Sequence, residues 1–452
     1  MAIHSLWDDQ YAISIRRGPL DWSDQSTTGS ATDAVSHTDA GVPTQNTSSN
    51  AEYGGDWHFK AARGGGGASG TLTAAVAKGQ TIGMPTSNAA VIFGIPFTGN
   101  PDFGAGVEII EAPLADGMTV GRVQGAAGSG ADASNIFRGG ITPTFSGEFL
   151  VNSQALMQAG AIFFQEGAGE NAAHKQLKTV ATTSSSDPLY VGSILRKMSA
   201  SAADSRLLSD CVASSFSLSA DRSTPLTCSM DFTGRLLATN INASTCADTG
   251  AADFTLDGGR NYTLQDCKVL ISQGPGSTDL KHVPVDAFSL SGSAETGYTF
   301  YNQPTPQSVL TGPQSWEGSI TIPYSGRGTA LTGDVVQKLL AQIGASSSTP
   351  SGTTDPIQIH LLWAAAAPGI ADGSTVSAST AVAAARDLHI RLNCVLTDVS
   401  VGGDSEATQT LSFRCLNHMA TNTTLTTAAV SIDTKNDAAA NLFGFASQAV
   451  AY

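Results

Sequence analysis

Two stretches of this chain carry one pattern in register. Cys211-Val-Ala-Ser-Ser-Phe-Ser-Leu-Ser-Ala-Asp221, closing with Leu226-Thr-Cys-Ser-Met-Asp-Phe232, aligns without a gap on Cys394-Val-Leu-Thr-Asp-Val-Ser-Val-Gly-Gly-Asp404, closing with Gln409-Thr-Leu-Ser-Phe-Arg-Cys415. Side chains along a strand point alternately to opposite faces. Phe216 and Leu218 therefore match Val399 and Val401, and Cys228, Met230 and Phe232 match Leu411, Phe413 and Cys415. With Cys211 and Cys394 these residues form the expected core of two hairpins that bury the same face. A spacing this long implies a duplicated domain rather than the short unit of a solenoid.

The 452 residues have room for two or three domains, each with its own core. Only 13% of residues are charged, and Ser, Thr, Ala and Gly abound. That composition favours many short strands over long amphipathic helices. The expected fold is all-β, sandwich- or barrel-like, with one short helix per repeat: two tandem domains and an extended N-terminal arm. Residues 1–75 form the arm, 76–240 the first repeat, 241–425 the second and 426–452 a C-terminal arm. The polar tract from Ser23 to Asn50 cannot build a core, and only the short run Tyr11–Ile15 there reads as strand.

Within the repeats the order of elements recurs. Ala89–Pro96, Val107–Ile110 and Ile141–Val151 read as strands, Asn152–Phe164 as a helix with Leu156, Met157 and Gly160 on one side, and Leu189–Leu195 as a further strand. In the second repeat Pro284–Ser291 and Trp316–Ile322 are strands, the latter aligned on Phe145–Val151 through Gly318 and Gly147. Asp334–Ile343 supplies a helix stopped by Gly344. Ile357–Trp363 and Leu388–Cys394 then alternate as strands.

Chemistry-bearing motifs are sparse. The chain contains no GxSxG, HExxH, P-loop or EF-hand pattern and no CxxC. The Gly64–Gly67 run reads as a joint and Gly125–Gly130 as a loop. His360 and His389 are a candidate metal pair, both on polar faces of strands in one sheet, but no further ligand accompanies them. Asp221 and Asp404 read as turn formers, whose carboxylates bond nearby amides; Arg235 and Arg414 read as stems covering apolar surface. The cysteines read as reduced core residues, which points to assembly in a cytosol. No catalytic residue, metal or cofactor is expected. The acidic start lacks a signal-peptide pattern, and no apolar run is long enough to span a bilayer.

The formal charge of −15 repels phosphate, which argues against a static nucleic-acid binder. Such acidity keeps a particle soluble, and it is also compatible with a conduit past which a polyanion slides.

The hairpin Cys211-Val-Ala-Ser-Ser-Phe-Ser-Leu218, followed by Thr227-Cys-Ser-Met-Asp-Phe-Thr-Gly234, resembles the major tail tube protein of long-tailed (siphovirus-type) bacteriophages. In the second repeat the match runs from Cys394 to Phe413, with Leu416-Asn417 in place of the glycine. Leu6-Trp-Asp-Asp-Gln-Tyr-Ala-Ile13 is similar to the start of some tail proteins. The resemblance covers residues 76–425 and implies a self-assembling virion protein: rings of six subunit-like units whose inner sheets join around a lumen, stacked into a tube for DNA ejection. Two domains per chain imply a trimer per ring, pseudo-sixfold. It further implies assembly in the host cytoplasm, contacts with tape-measure, terminator and distal tail proteins, transient passage of double-stranded DNA, and no membrane partner. The alternatives are another β-rich virion protein of the head or its decoration, and a β-rich adhesin or carbohydrate-binding module; an enzyme ranks last.

Overall fold

A computed structural model describes residues 10–17, 95–111, 136–167, 174–179, 190–197, 205–234, 236–241, 261–272, 279–300, 308–323, 357–363, 375–377, 387–402, 408–421 and 424–435. In chain order the first strands are β1 (Gln10–Arg17), β2 (Asp102–Gly104), β3 (Val107–Glu111), β4 (Ile136–Ile141) and β5 (Thr144–Leu150). Helix α1 (Ser153–Gly160) precedes β6 (Gln165–Gly167), β7 (His174–Lys178), β8 (Tyr190–Lys197), β9 (Ser205–Asp221), β10 (Thr227–Thr233) and β11 (Leu236–Ile241). Then follow β12 (Cys267–Ser272), β13 (Asp279–Val283), β14 (Ala287–Thr299), β15 (Ser308–Pro323), β16 (Ile357–Trp363) and β17 (Thr375–Ser377). The last are β18 (Leu388–Gly402), β19 (Thr408–Cys415), β20 (His418–Thr421), β21 (Thr424–Thr427) and β22 (Val430–Lys435).

The fold is all-β, as the composition predicts. Eighteen strands join into one sheet, and β3–β4 and β20–β21 form separate pairs. One ladder runs β2–β5–β10–β9–β14–β15–β19–β18–β16–β12–β13–β17, antiparallel throughout. From β18 a branch leads through β22 to β7 and β6.

β9 and β18 are long because each serves two neighbourhoods. The first half of β9 lies between β8 and β11, and its second half between β10 and β14. β18 pairs with β16 and β22 up to Cys394 and with β19 beyond it. The strand at Leu388–Cys394 and the hairpin that follows are therefore one continuous element.

Helix α1 is capped by Asn152, whose side-chain oxygen accepts from the Ala155 amide at 2.8 Å. It is shorter than the expected 152–164. After Gly160 the Ile162 and Phe163 amides bond three residues back, which tightens the chain into a turn. Leu156, Met157, Phe164, Phe216, Phe232, Ile320, Ile390 and Phe413 share one hydrophobic core. Phe164 and Trp316 stack at 5.0 Å, and Phe216 meets Phe164 edge-on at 4.9 Å. The expected second helix, Asp334–Ile343, and the polar tract 23–50 lie outside the described residues. Both expected arms contribute strands: β1 zips along β8, burying Tyr11 and Ile13, and β22 enters the main ladder.

Candidate functional site

The two hairpins occupy like positions. β10 lies between β5 and β9, and β19 between β15 and β18. Met230 faces Gly147 as Phe413 faces Gly318, and Cys228 faces Phe149 as Leu411 faces Ile320. The alignment of Gly147 with Gly318 thus corresponds to one register. The first hairpin strands differ from the gap-free alignment: Cys228 pairs with Leu218, whereas Leu411 pairs with Val399. By register Val399 corresponds to Leu218 and Val401 to Ala220, two residues off the gap-free alignment, and a bulge between Leu396 and Asp398 then sets Leu396 in the place of Phe216.

Cys211, Phe216, Leu218, Cys228, Met230 and Phe232 are buried, as are Cys394, Leu411, Phe413 and Cys415. Val401, expected in the core, is instead 60% exposed, and Val399 is half-buried. The cause is local. Beyond Cys394 no described strand lies along the edge of β18 opposite β19, and Val399 keeps only part of its packing against the core.

All five described cysteines are free thiols. Cys394 and Cys415 stand directly opposite each other, yet the Cys394 thiol donates to the Ile357 carbonyl at 3.4 Å. His360 and His389 do meet, nitrogen to nitrogen at 3.1 Å, but the expected polar face is buried. Burial, then His389 and Arg391, holds the His360 pKa well below its usual value. No cluster of three metal-ligating side chains occurs among the described residues. Asp221 closes its hairpin as a turn residue, accepting from the Ser223 and Thr224 amides at 2.7 Å each.

The sheet face opposite the core is carpeted with hydroxyls, an arrangement the alternation implied but did not single out. One lateral row reads Glu148, Ser229, Ser217, Ser291, Glu317, Arg414 from β5 to β19. Many of these hydroxyls bond each other across strands: Ser219 with Thr227 at 3.2 Å, Ser289 with Ser319 and Ser293 with Ser315 at 2.8 Å, Thr321 with Thr410 at 3.1 Å. Ser215 donates to Asp231 at 2.6 Å. Such a face is hydrated and mildly acidic, and its donors are largely occupied. The row crosses from the first hairpin to the second through β9–β14 without a break.

No protein-family model and no curated protein sequence matches the chain.

Proposed function

We propose that this chain is a structural virion protein that self-assembles into stacked rings, three chains to a ring, forming the tail tube through which phage DNA passes. The observation that carries the reading is the continuous two-faced sheet from β5 to β19. One face carries Phe149, Met230, Leu218, Leu290, Ile320 and Leu411 into the hydrophobic core, and the other is a hydroxyl surface that spans both hairpins. If that sheet curves into a ring, the face without bulk lies inside and the core with its helix outside. A wall of paired hydroxyls and carboxylates, with the Arg414 guanidinium set beside Glu317, offers phosphate few free donors, which suits a polyanion that must slide. The two alike hairpin sets per chain support three chains for six units, and the resemblance to tail tube proteins supports the same arrangement.

Electron microscopy of the purified protein tests this. Rings or tubes with pseudo-sixfold end views are expected; a protein that stays monomeric at high concentration would overturn the reading.

A further inference from the structure

We propose that Cys394 and Cys415 form a redox-sensitive modification site: a small disulfide of the oxidised-glutathione class converts them into a cross-strand disulfide that ties the end of β19 to β18. The site needs one chain only and is independent of the proposed rings.

The register puts the two residues where a bridge fits. They are directly opposed on β18 and β19. Antiparallel ladders alternate between pairs that exchange backbone hydrogen bonds and pairs that do not, and side chains of the second kind lie closer together. The Leu416 amide donates to the Asn393 carbonyl at 2.9 Å, so Asn393 with Leu416 is a bonded pair and Cys394 with Cys415 the closer, unbonded one. Cα atoms in such a pair are about 4.5 Å apart, inside the span of about 4.4–6.8 Å that disulfides bridge. Both residues belong to the same core. Burial raises the pKa of Cys394, and Cys415 lies near enough to raise it further. In the reduced protein Cys394 donates to the Ile357 carbonyl, a weak thiol bond that rotation of the side chain would give up.

Among the described residues no other cysteine has this placement. Cys211 stands opposite Gly192, Cys228 between Phe149 and Leu218, and Cys267 opposite Trp363. In the first hairpin the equivalent places hold Phe232 and Ala213, also directly opposed. The second hairpin thus has two sulfurs where the first has a ring and a methyl group.

The pair also sits at a junction. Asn393 donates its amide to the Ala429 carbonyl and accepts from Leu416, so β22 yields this edge of β18 to β19 just before the pair. β19 ends at Cys415, and strand ends open more readily than their middles. A link here holds that end down and closes the loop from 394 to 415 in the unfolded chain.

The chemistry is two successive exchanges. As the end of β19 lifts, the Cys415 thiolate attacks one sulfur of the small disulfide; that S–S bond breaks, and one small thiol leaves with the proton Cys415 gave up. The Cys394 thiolate then attacks the Cys415 sulfur, the mixed disulfide breaks, and the second small thiol leaves with the Cys394 proton. Two protein thiols are oxidised, and one small disulfide is reduced to two thiols. Cys415, 5% exposed against 0% for Cys394, is the first to be reached.

Oxidised glutathione tests the site on the whole protein, at urea concentrations below the unfolding midpoint so that strand ends open. Digestion without reduction should give peptides joined through Cys394 and Cys415. The protein should lose two thiols together, and its unfolding midpoint should rise, then return on treatment with a dithiol. Cys394→Ser and Cys415→Ser should each abolish the joined peptides; mapping of the unaltered chain decides the matter if either variant fails to fold. Glutathione trapped on Cys415 without closure would overturn the site, as would links in equal yield through Cys211, Cys228 or Cys267. Thiols that stay reduced under conditions that oxidise the fully unfolded chain, or a link that leaves the midpoint unchanged, would overturn it too. None of these readouts depends on rings or tubes, so the proposed assembly keeps its own test.

Discussion

Burial decides what the cysteine thiols can do. Loss of water around Cys228, Cys394 and Cys415 pushes each thiol well above its ordinary pKa, and the thiolate is the reactive form. We expect a soluble thiol reagent to leave these three untouched in the native protein and to label them only as it unfolds. Mass-spectrometric mapping checks this, and rapid native labelling at any of them would contradict it. The buried pair His360/His389 gives stability a pH dependence. The folded value of His360 lies below the unfolded one of about 6.5, so the unfolded chain takes up the proton first. Stability is therefore full above about pH 6.5 and falls as pH drops, by at most about 1.4 kcal/mol per pH unit for one proton. Melting temperature measured across this range should decline toward acid, and His360→Gln should flatten the slope; an unchanged slope would show that other groups govern it. That these two histidines share a sheet was legible in the sequence. That their face is buried was not, because alternation separates two faces without saying which of them is covered.

At the scale of elements, the alternation in Phe216–Leu218 and in Cys228–Phe232 correctly identified the buried sides of β9 and β10. The two-residue slip over Val399–Val401 was invisible because a period of two is unchanged by a shift of two, and the bulge between Leu396 and Asp398 shows only in the register. The fusion of Leu388–Cys394 with the second hairpin was hidden as well, since only the neighbours tell where one neighbourhood ends. Gly147 and Gly318 mark where strands leave no room for a side chain. A Cβ on Gly318 would lie 2.5 Å from the Ser289 carbonyl oxygen, whereas one on Gly147 would chiefly meet the Phe97 ring, 2.6 Å away. A ring can turn aside; backbone in a ladder cannot. Gly318→Ala should cost about 1–3 kcal/mol in denaturant unfolding and Gly147→Ala less. The reverse order would mean that β14 and β15 are more loosely joined than their register indicates.

For the whole molecule the governing quantity is charge. At −15 the copies repel one another. Raising the salt concentration should promote assembly by screening, seen as a lower protein concentration at which light scattering appears; a higher threshold at high salt would show that repulsion is not what limits assembly. Composition made the all-β class legible, but not the connections across the chain, which depend on edges that meet only after folding. β7 and β22 lie on opposite sides of the expected boundary at residue 241 and still pair, Leu177 with Ile432. This join has a kinetic consequence. A contact so distant in sequence is slow to form, because the intervening chain must first be brought together. During synthesis β7 emerges early and must wait with one edge unfilled until Lys435 has left the ribosome. The nascent first half is thus held short of its final state, and a stalled or shortened chain would leave this edge of β7 open to wrong partners.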